Sequence, residues 1–485
     1  MMTTALFNHL RSLSVSSCSL YGGFLIRKAG VFVVAMMLTR FVGKAEFGVF
    51  CVALVVLEFA ARLAVFGSDV IVVRAISTHD PAVDSLLATV LGWRCMAGIA
   101  IGLVLVSVMS WMSPASALLN IIAIMSMGMV FQVIGDLYIS ISQGMERVDL
   151  GGYVQMLCAA VGVTLMLVAI VFGFGLVGVA VAYSVRSLLF MICGFVLSRY
   201  LQRPVRPSVD LRMLLTTLRQ GVPIAGNRLL AVLYLGSGLL VLERVCGPES
   251  AGAFAGPMKM FEACAALGML TAVAVFPTLS RLRQDAKDEF RGMVSVLIGV
   301  IVWVGVPLCM LVGLHADALL GKVFGHEFLG EGILLVILMC ALPLSFSYVL
   351  MERLAYAACD QKWVLVVRFL GTAVCLAVLF ATVGTLGSVG ASLALFAGEA
   401  VMVLLFLPRW SYYSFEVSIV KCALPGFIVS VASLGAAIMV SRWGGGAQSV
   451  AFFSILFLGV VFFWAWRRNR LRRVRACEDV SVGAS

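Results

Sequence analysis

Eight basic and four acidic side chains interrupt the long apolar runs of this sequence: Arg27, Lys28, Arg62, Arg94, Arg186, Arg228, Lys259 and Arg368, with Glu58, Asp136, Glu262 and Glu399. A charge inside a bilayer costs roughly 2.5–3.5 kcal/mol on insertion scales, so it must line a polar cavity, find a partner or reach the interface. Glu58 and Arg62 are spaced i, i+4 with the acid first, and Lys259 and Glu262 i, i+3; both spacings put the partners on one helix face. Arg27, Arg186 and Arg228 have no acid on their own helix. Arg94, Arg368 and Lys28 lie near span ends and are expected to snorkel to the interface.

Eight bases less four acids leave a surplus of four positive charges. Such a surplus suits an anion, and arginine's fork meets phosphate oxygens at two points. On this reading Arg27, Arg62, Arg186, Arg228 and Lys259 would hold a pyrophosphate. Glu58 and Glu262 would neutralise and position them, and Glu58, Glu262, Asp136 and Glu399 are the acids able to carry a coupling ion. The structural alternative is that each in-helix pair only neutralises itself.

The elements that must position these groups follow from composition. The 485 residues are 62% hydrophobic and 12% charged, with a mean hydropathy of +1.09. Apolar runs of about 20 residues, enough to cross a bilayer, recur from end to end. The expected spans are 18–39, 46–66, 86–110, 117–141, 153–173, 176–198, 221–242, 252–276, 293–313, 332–351, 363–383, 387–407, 422–441 and 449–466. The chain therefore reads as an all-α polytopic membrane protein of about fourteen helices. The start of the first span and its polar flanks argue against a cleaved signal peptide.

With the N-terminus in the cytoplasm, the cytoplasmic connections hold 22 basic residues and the outer ones five: Arg40, Lys44, Arg244, Lys322 and Arg442. This bias sets the orientation and puts both termini in the cytoplasm. The stretch 467–485 is then a basic cytoplasmic tail, read as a topology anchor.

Several function classes are excluded. No loop has room for a soluble catalytic domain, and no G-x-x-x-x-G-K-[ST] occurs, so the chain is not its own ATPase. Gly173, Gly175 and Gly178 spell G-x-G-x-x-G at a hairpin tip without a preceding strand, and read as a tight turn. The 13 cysteines are scattered without a C-x-x-C and read as packing residues. His315 and His326 share a loop with Glu327 but no further ligand set is apparent. No enzyme, cofactor, metal or nucleic-acid partner is expected.

The sequence writes one turn twice. "TRFVGKAEFGVF" (39–50) and "ERVCGPESAGAF" (243–254) align at an offset of 204, matching Arg40 with Arg244, Gly43 with Gly247, Gly48 with Gly252 and Phe50 with Phe254. The same offset pairs Glu58 with Glu262. "GLVGVAVA" (175–182) echoes "GSVGASLA" (387–394) at an offset of 212. The expected architecture is two parallel six-helix lobes, 1–205 and 206–415, around a central cavity, with two added helices in 416–466. Parallel repeats of this kind put a substrate path between the lobes. Gly98 and Gly102 offer a close-packing helix face, and Pro257, Pro277 and Pro307 can kink their helices. The doubled turn itself is expected to carry no chemistry.

"LTRFVGKAEFGVF" resembles the junction of the first two helices in Wzx-type polysaccharide flippases, of the multidrug/oligosaccharidyl-lipid/polysaccharide exporter superfamily. "FGSDVIVVRAIS", "SQGMERVDLGGYVQ" and "FPTLSRL" resemble that family too, and the likeness covers roughly residues 15–420. The resemblance implies a V of two lobes that alternates between inward-open and outward-open states in the bacterial inner membrane. Its implied cargo is an undecaprenyl-pyrophosphate-linked oligosaccharide for O-antigen or exopolysaccharide export. The implied partners are that lipid-linked oligosaccharide, membrane lipids, H+ or Na+ as coupling ion, and the polysaccharide polymerase machinery. In the related lipid II flippases, basic residues of helices 1, 2 and 8 line the cavity, and the matching positions are Arg27, Arg62 and Lys259. The superfamily's drug antiporters use an acid in helix 1; this chain has none there. The alternatives are a cation-coupled multidrug exporter, a lipid II flippase and, in another class, a membrane enzyme acting on the same glycans.

Overall fold

A computed structural model describes residues 29–112, 117–414 and 417. Arg27, Lys28, the expected spans 422–441 and 449–466, and the basic tail lie outside the described residues. Among the described residues there is no strand. In lipid every backbone N–H and C=O must be satisfied within its own segment, and uninterrupted helices do this. Nine described helices are long and apolar enough to cross a membrane, or ten if one bent pair counts as a span.

The first half of the described chain comprises α1 (Ala29–Phe41), α2 (Lys44–Val65), α3 (Ser68–Ser77), α4 (Val83–Met112), α5 (Ala117–Gly144), α6 (Val148–Val171) and α7 (Gly175–Tyr200). The second half comprises α8 (Leu211–Cys246), α9 (Pro248–Asp285), α10 (Lys287–Val300), α11 (Val306–Leu314), α12 (Ala316–Phe324), α13 (Gly332–Ala357), α14 (Gln361–Leu386), α15 (Ser388–Phe406) and the short α16 (Trp410–Ser414).

Two helices were not legible as such. The "SDVIVVRAIS" segment is α3, a short helix after the second span, and α12 folds back at 73° to α11 within an expected loop. The ninth expected span is interrupted by π-helical backbone at Ile301–Gly305. Pro307 follows the break, and its missing N–H removes a rung of the helical ladder. Pro257 and Pro277 instead lie within the unbroken α9.

The halves pair their helices alike. α5 packs on α2, α4 and α7, and α7 on α6; correspondingly, α13 packs on α9, α11 and α15, and α15 on α14. The halves meet where α2 lies against α8 and α9, and where α3 and α4 reach α8.

The doubled turn has one geometry. Gly43 has φ 103° and ψ 168°, and Gly247 φ 88° and ψ 172°. This is a left-handed backbone region that a Cβ disfavours. At the same end, called the turn end below, a Cβ on Gly48 would sit 2.2 Å from the Pro248 carbonyl oxygen, and one on Gly252 1.9 Å from that of Lys44. The turn is thus more than a chain reversal: its glycines let the two halves touch backbone to backbone. Gly173 and Gly175, with φ +73° and +60°, form the tight turn expected between α6 and α7. Gly98 and Gly102 of α4 face Val130 and Ser126 of α5 at ordinary contact distance.

Candidate charge network and cross-half contacts

In the first half, Arg62 Nη2 donates to Glu58 Oε1 at 2.7 Å, and the two side chains keep 37% and 54% of their surface open. Arg186 of α7 crosses to α5, where Nη2 donates to Gln132 Oε1 at 2.8 Å. Gln132 Nε2 in turn donates to Asp136 Oδ1 at 3.1 Å. A side chain at Gly162 of α6 would overlap the Arg186 stem, and the guanidinium lies 5.2 Å from the Tyr183 ring centre. Arg186 and Asp136 are therefore joined through a neutral amide.

In the second half, Lys259 Nζ lies 3.0 and 3.1 Å from the two carboxylate oxygens of Glu262. The in-helix pairs at 58/62 and 259/262 both form, on the matched helices α2 and α9. Glu399 of α15 is 4% exposed, and its Oε2 has no hydrogen-bond partner. Nearby, the Tyr234 hydroxyl donates to the Leu395 carbonyl at 2.9 Å.

Two expectations of snorkelling fail. Arg94 is fully buried. Its Nε and Nη2 donate to Ser68 Oγ at 3.2 and 2.9 Å, and Nη1 to the Val133 carbonyl at 3.0 Å, so it ties α4 to α3 and α5. Arg368 pairs with Glu352 of α13 at 3.0 Å, the side chains 14% and 9% exposed, and packs 4.8 Å from the Tyr348 ring centre. Enough donors and acceptors are inside the protein that neither side chain needs the interface.

The surplus of four positive charges is corrected by the same geometry. Arg228, which has no acid on its own helix, meets one on another: its Nη1 lies 2.5 Å from Asp69 Oδ2 across the α8–α3 contact. Asp69 and Glu352 fall just past the expected spans 46–66 and 332–351, and counting them lowers the surplus from four to two, eight bases less six acids. A hydropathy boundary stops at the first polar turn of a helix, so the expected spans exclude both. Of the five bases assigned to the anion site, Arg62, Arg228 and Lys259 each hold a carboxylate, Arg186 holds an amide, and Arg27 is outside the described residues.

Contacts join the halves at both ends. At the turn end, Lys44 Nζ meets Glu331 Oε1 at 2.6 Å, the Lys44 backbone N–H donates to Glu327 Oε2 at 2.8 Å, and Arg40 donates to the carbonyls of Lys322 and Val323. At the opposite end, called the linker end, Asp69 meets Arg228. There a Cβ on Gly221 would come within 2.3 Å of the Phe66 carbonyl oxygen, and within the first half Arg203 holds Asp84 at 2.8 Å.

Also at the linker end, Asp360 before α14 accepts from the Tyr413 hydroxyl at 2.6 Å and from Arg409. Burial pushes the Asp360 carboxyl up, but those two hydrogen bonds and the Arg409 charge hold it below its ordinary value.

A family model described as "Polysaccharide biosynthesis protein" matches residues 17–283, more than half of the 485-residue chain. No curated protein matches it. Among solved structures, the chain is similar to the lipid II flippase MurJ in an inward closed conformation. The two share 12% identity over 93% of this chain and 99% of that one, with a TM-score of 0.71. It is also similar to an inward-facing multidrug resistance MATE family transporter of the MOP superfamily, at 15% identity, 81% and 95% coverage and a TM-score of 0.64. A third is a MOP superfamily transporter from Pyrococcus furiosus described by a binding pocket of reverse polarity, at 15% identity, 84% and 96% coverage and 0.59. At these identities the likeness is one of fold.

Proposed function

Because this chain belongs to the polysaccharide biosynthesis protein family, we propose that it flips an undecaprenyl-pyrophosphate-linked oligosaccharide repeat unit from the cytoplasmic to the periplasmic leaflet of the bacterial inner membrane. The observation that carries this reading is the matched pair of charge clusters, Glu58–Arg62 on α2 and Lys259–Glu262 on α9, one in each half. The acids of the two pairs, Glu58 and Glu262, stand at equivalent places 204 residues apart, and charges inside two long helices favour a polar path between the halves, because lipid would penalise them. Glu58 and Arg62, toward the linker end of α2, keep 54% and 37% of their side-chain surface open, which fits a water-filled cavity opening at that end.

In this reading residues 1–205 and 206–415 are the two lobes, the turn end faces the periplasm and the linker end the cytoplasm. Arg27, Arg62, Arg186, Arg228 and Lys259 hold the pyrophosphate in turn as the lobes rock. The membrane potential, negative inside, favours outward movement of an anion by about 2.3 kcal/mol per charge per 100 mV. Glu399, buried with one oxygen unpartnered, is the acid best placed to take up a proton. O-antigen and exopolysaccharide units both fit this cargo class.

The test is a deletion strain. Lipid-linked repeat units should accumulate on the cytoplasmic face of its membrane, and export should return with the intact gene. Normal export from the deletion would overturn the reading. Dye efflux without a glycan defect would point to the multidrug exporter, and loss of viability with lipid II build-up to a lipid II flippase.

A further inference from the structure

The Asp69–Arg228 pair has a form that a structural tether would not need. Arg228 offers five N–H donors, of which one meets Asp69 Oδ2. The other oxygen, Asp69 Oδ1, is buried with no hydrogen-bond partner. Both side chains keep surface open, 32% for Arg228 and 24% for Asp69. A guanidinium prefers a two-point fork on a carboxylate or phosphate. Here it makes one contact and leaves the rest of its fork available.

The pair also sits on a stiff support. Phe66 and Gly67, which precede α3, both have left-handed backbones, and Gly67 presses on Gly221 and Ile224 of α8. Ser68, next to Asp69, is held from below by the buried Arg94. The turn before α3 is thus fixed by packing, and the ion pair is the exchangeable polar contact between α3 and α8.

We infer that Asp69 is an internal stand-in for the anionic headgroup: its carboxylate occupies the anion position on Arg228, and a phosphate or pyrophosphate group enters by displacing it, which releases α3 from α8 at the linker end. This rests on the pyrophosphate reading of the site. A pyrophosphate carries more charge than a carboxylate and takes the fork at two points, so it wins the exchange. Chloride, which cannot take the fork, does not. The headgroup thereby opens one of the contacts between the halves at the linker end, and an empty carrier re-forms it.

The test uses the full chain in nanodiscs of zwitterionic lipid, with inorganic pyrophosphate as the probe and chloride as the control. Asp69→Asn should bind pyrophosphate about tenfold tighter than the wild type, since the competing carboxylate is gone. Arg228→Gln should lose that binding. In the Arg228→Gln background, Asp69→Asn should have no further effect, whereas a general electrostatic gain would persist. Hydrogen exchange of residues 68–77 should speed up when pyrophosphate is added to the wild type and stay unchanged in Arg228→Gln. Asp69→Ser serves if Asp69→Asn does not fold.

Unchanged or weaker binding on loss of the carboxylate, or slower exchange of α3 with pyrophosphate, would overturn the inference. Repeating the titration with phosphatidylglycerol in the disc separates a bulk lipid phosphate from a pyrophosphate: occupancy by the lipid would already tighten nothing further on Asp69→Asn and assigns the site to the bilayer. If the displacement holds and the deletion strain exports normally, the export reading falls alone. If export fails in the deletion while Asp69→Asn leaves affinity unchanged, the displacement falls alone.

Discussion

Gly48 and Gly252 occupy the same place in two copies of one turn, 204 residues apart, and in the folded chain they lie against each other. The contact is backbone to backbone: a Cβ on Gly48 would come within 2.7 Å of the Gly252 nitrogen and 2.2 Å of the Pro248 oxygen. Two equivalent positions can touch in this way when they flank the axis that relates the copies. The doubled turn is therefore also the seam between the halves.

Gly48→Val and Gly252→Val should each force α2 and α9 apart at that seam. Overpacking of this kind costs typically ~1–3 kcal/mol, and the rigid carbonyl neighbours put it at the upper end. A lower unfolding temperature in detergent, together with reduced surface glycan, is expected. Gly98→Ala, which faces Val130 at 3.6 Å, should be tolerated and serves as the control.

The ion pair of Lys44 and Glu331 joins α2 to the start of α13 at the turn end, and Cys51, seven residues further along α2, is buried. Lys44→Glu puts a like charge against Glu331 and should loosen this end, with a penalty on the order of 1–2 kcal/mol, or roughly a tenfold more frequent opening. Maleimide labelling of Cys51 should rise in Lys44→Glu, return toward the wild-type level in the Lys44→Glu/Glu331→Lys swap, and vanish in Cys51→Ser.

Arg62→Ala and Lys259→Ala should each block glycan export while the protein still inserts at normal levels. Arg62→Lys should retain part of the activity, since it keeps the charge and loses the fork. Export at wild-type levels from both alanine variants would remove the charge clusters from the transport path.

Arg94 differs from these, because it is fully buried and hydrogen-bonds only within the first half. Arg94→Met should remove the three hydrogen bonds that tie α4 to Ser68 and to the Val133 carbonyl, at about 1.5–3 kcal/mol for each charged hydrogen bond lost. The phenotype should be poor yield and early unfolding, with no selective change in anion affinity among molecules that do fold.

For Arg368 and Glu352, removing one partner leaves an uncompensated charge in the bundle. Arg368→Met alone should cost ~3–5 kcal/mol. The double variant Arg368→Met/Glu352→Gln should recover much of that loss. Equal thermal stability of the single and double variants would show that the pair at 3.0 Å contributes no coupling.

The sequence determined a good deal by itself. Long apolar runs must become helices that satisfy their own backbone in lipid, so the all-helical fold and most helix positions were readable. Pairs four or three apart on one helix, Glu58–Arg62 and Lys259–Glu262, were readable for the same reason: their geometry is local. The turn repeat gave the register that matches α2 with α9.

What only the tertiary structure decided is which charges meet across helices. Asp69 finds Arg228 over 159 positions of chain, Glu352 finds Arg368 between two helices, and Arg94 finds a hydroxyl and a carbonyl instead of the interface. No periodicity encodes such partners, because they depend on how helices rotate and cross once packed. The same holds for Gly48 and Gly252: composition shows two small residues, and packing alone shows that each leaves room for the other.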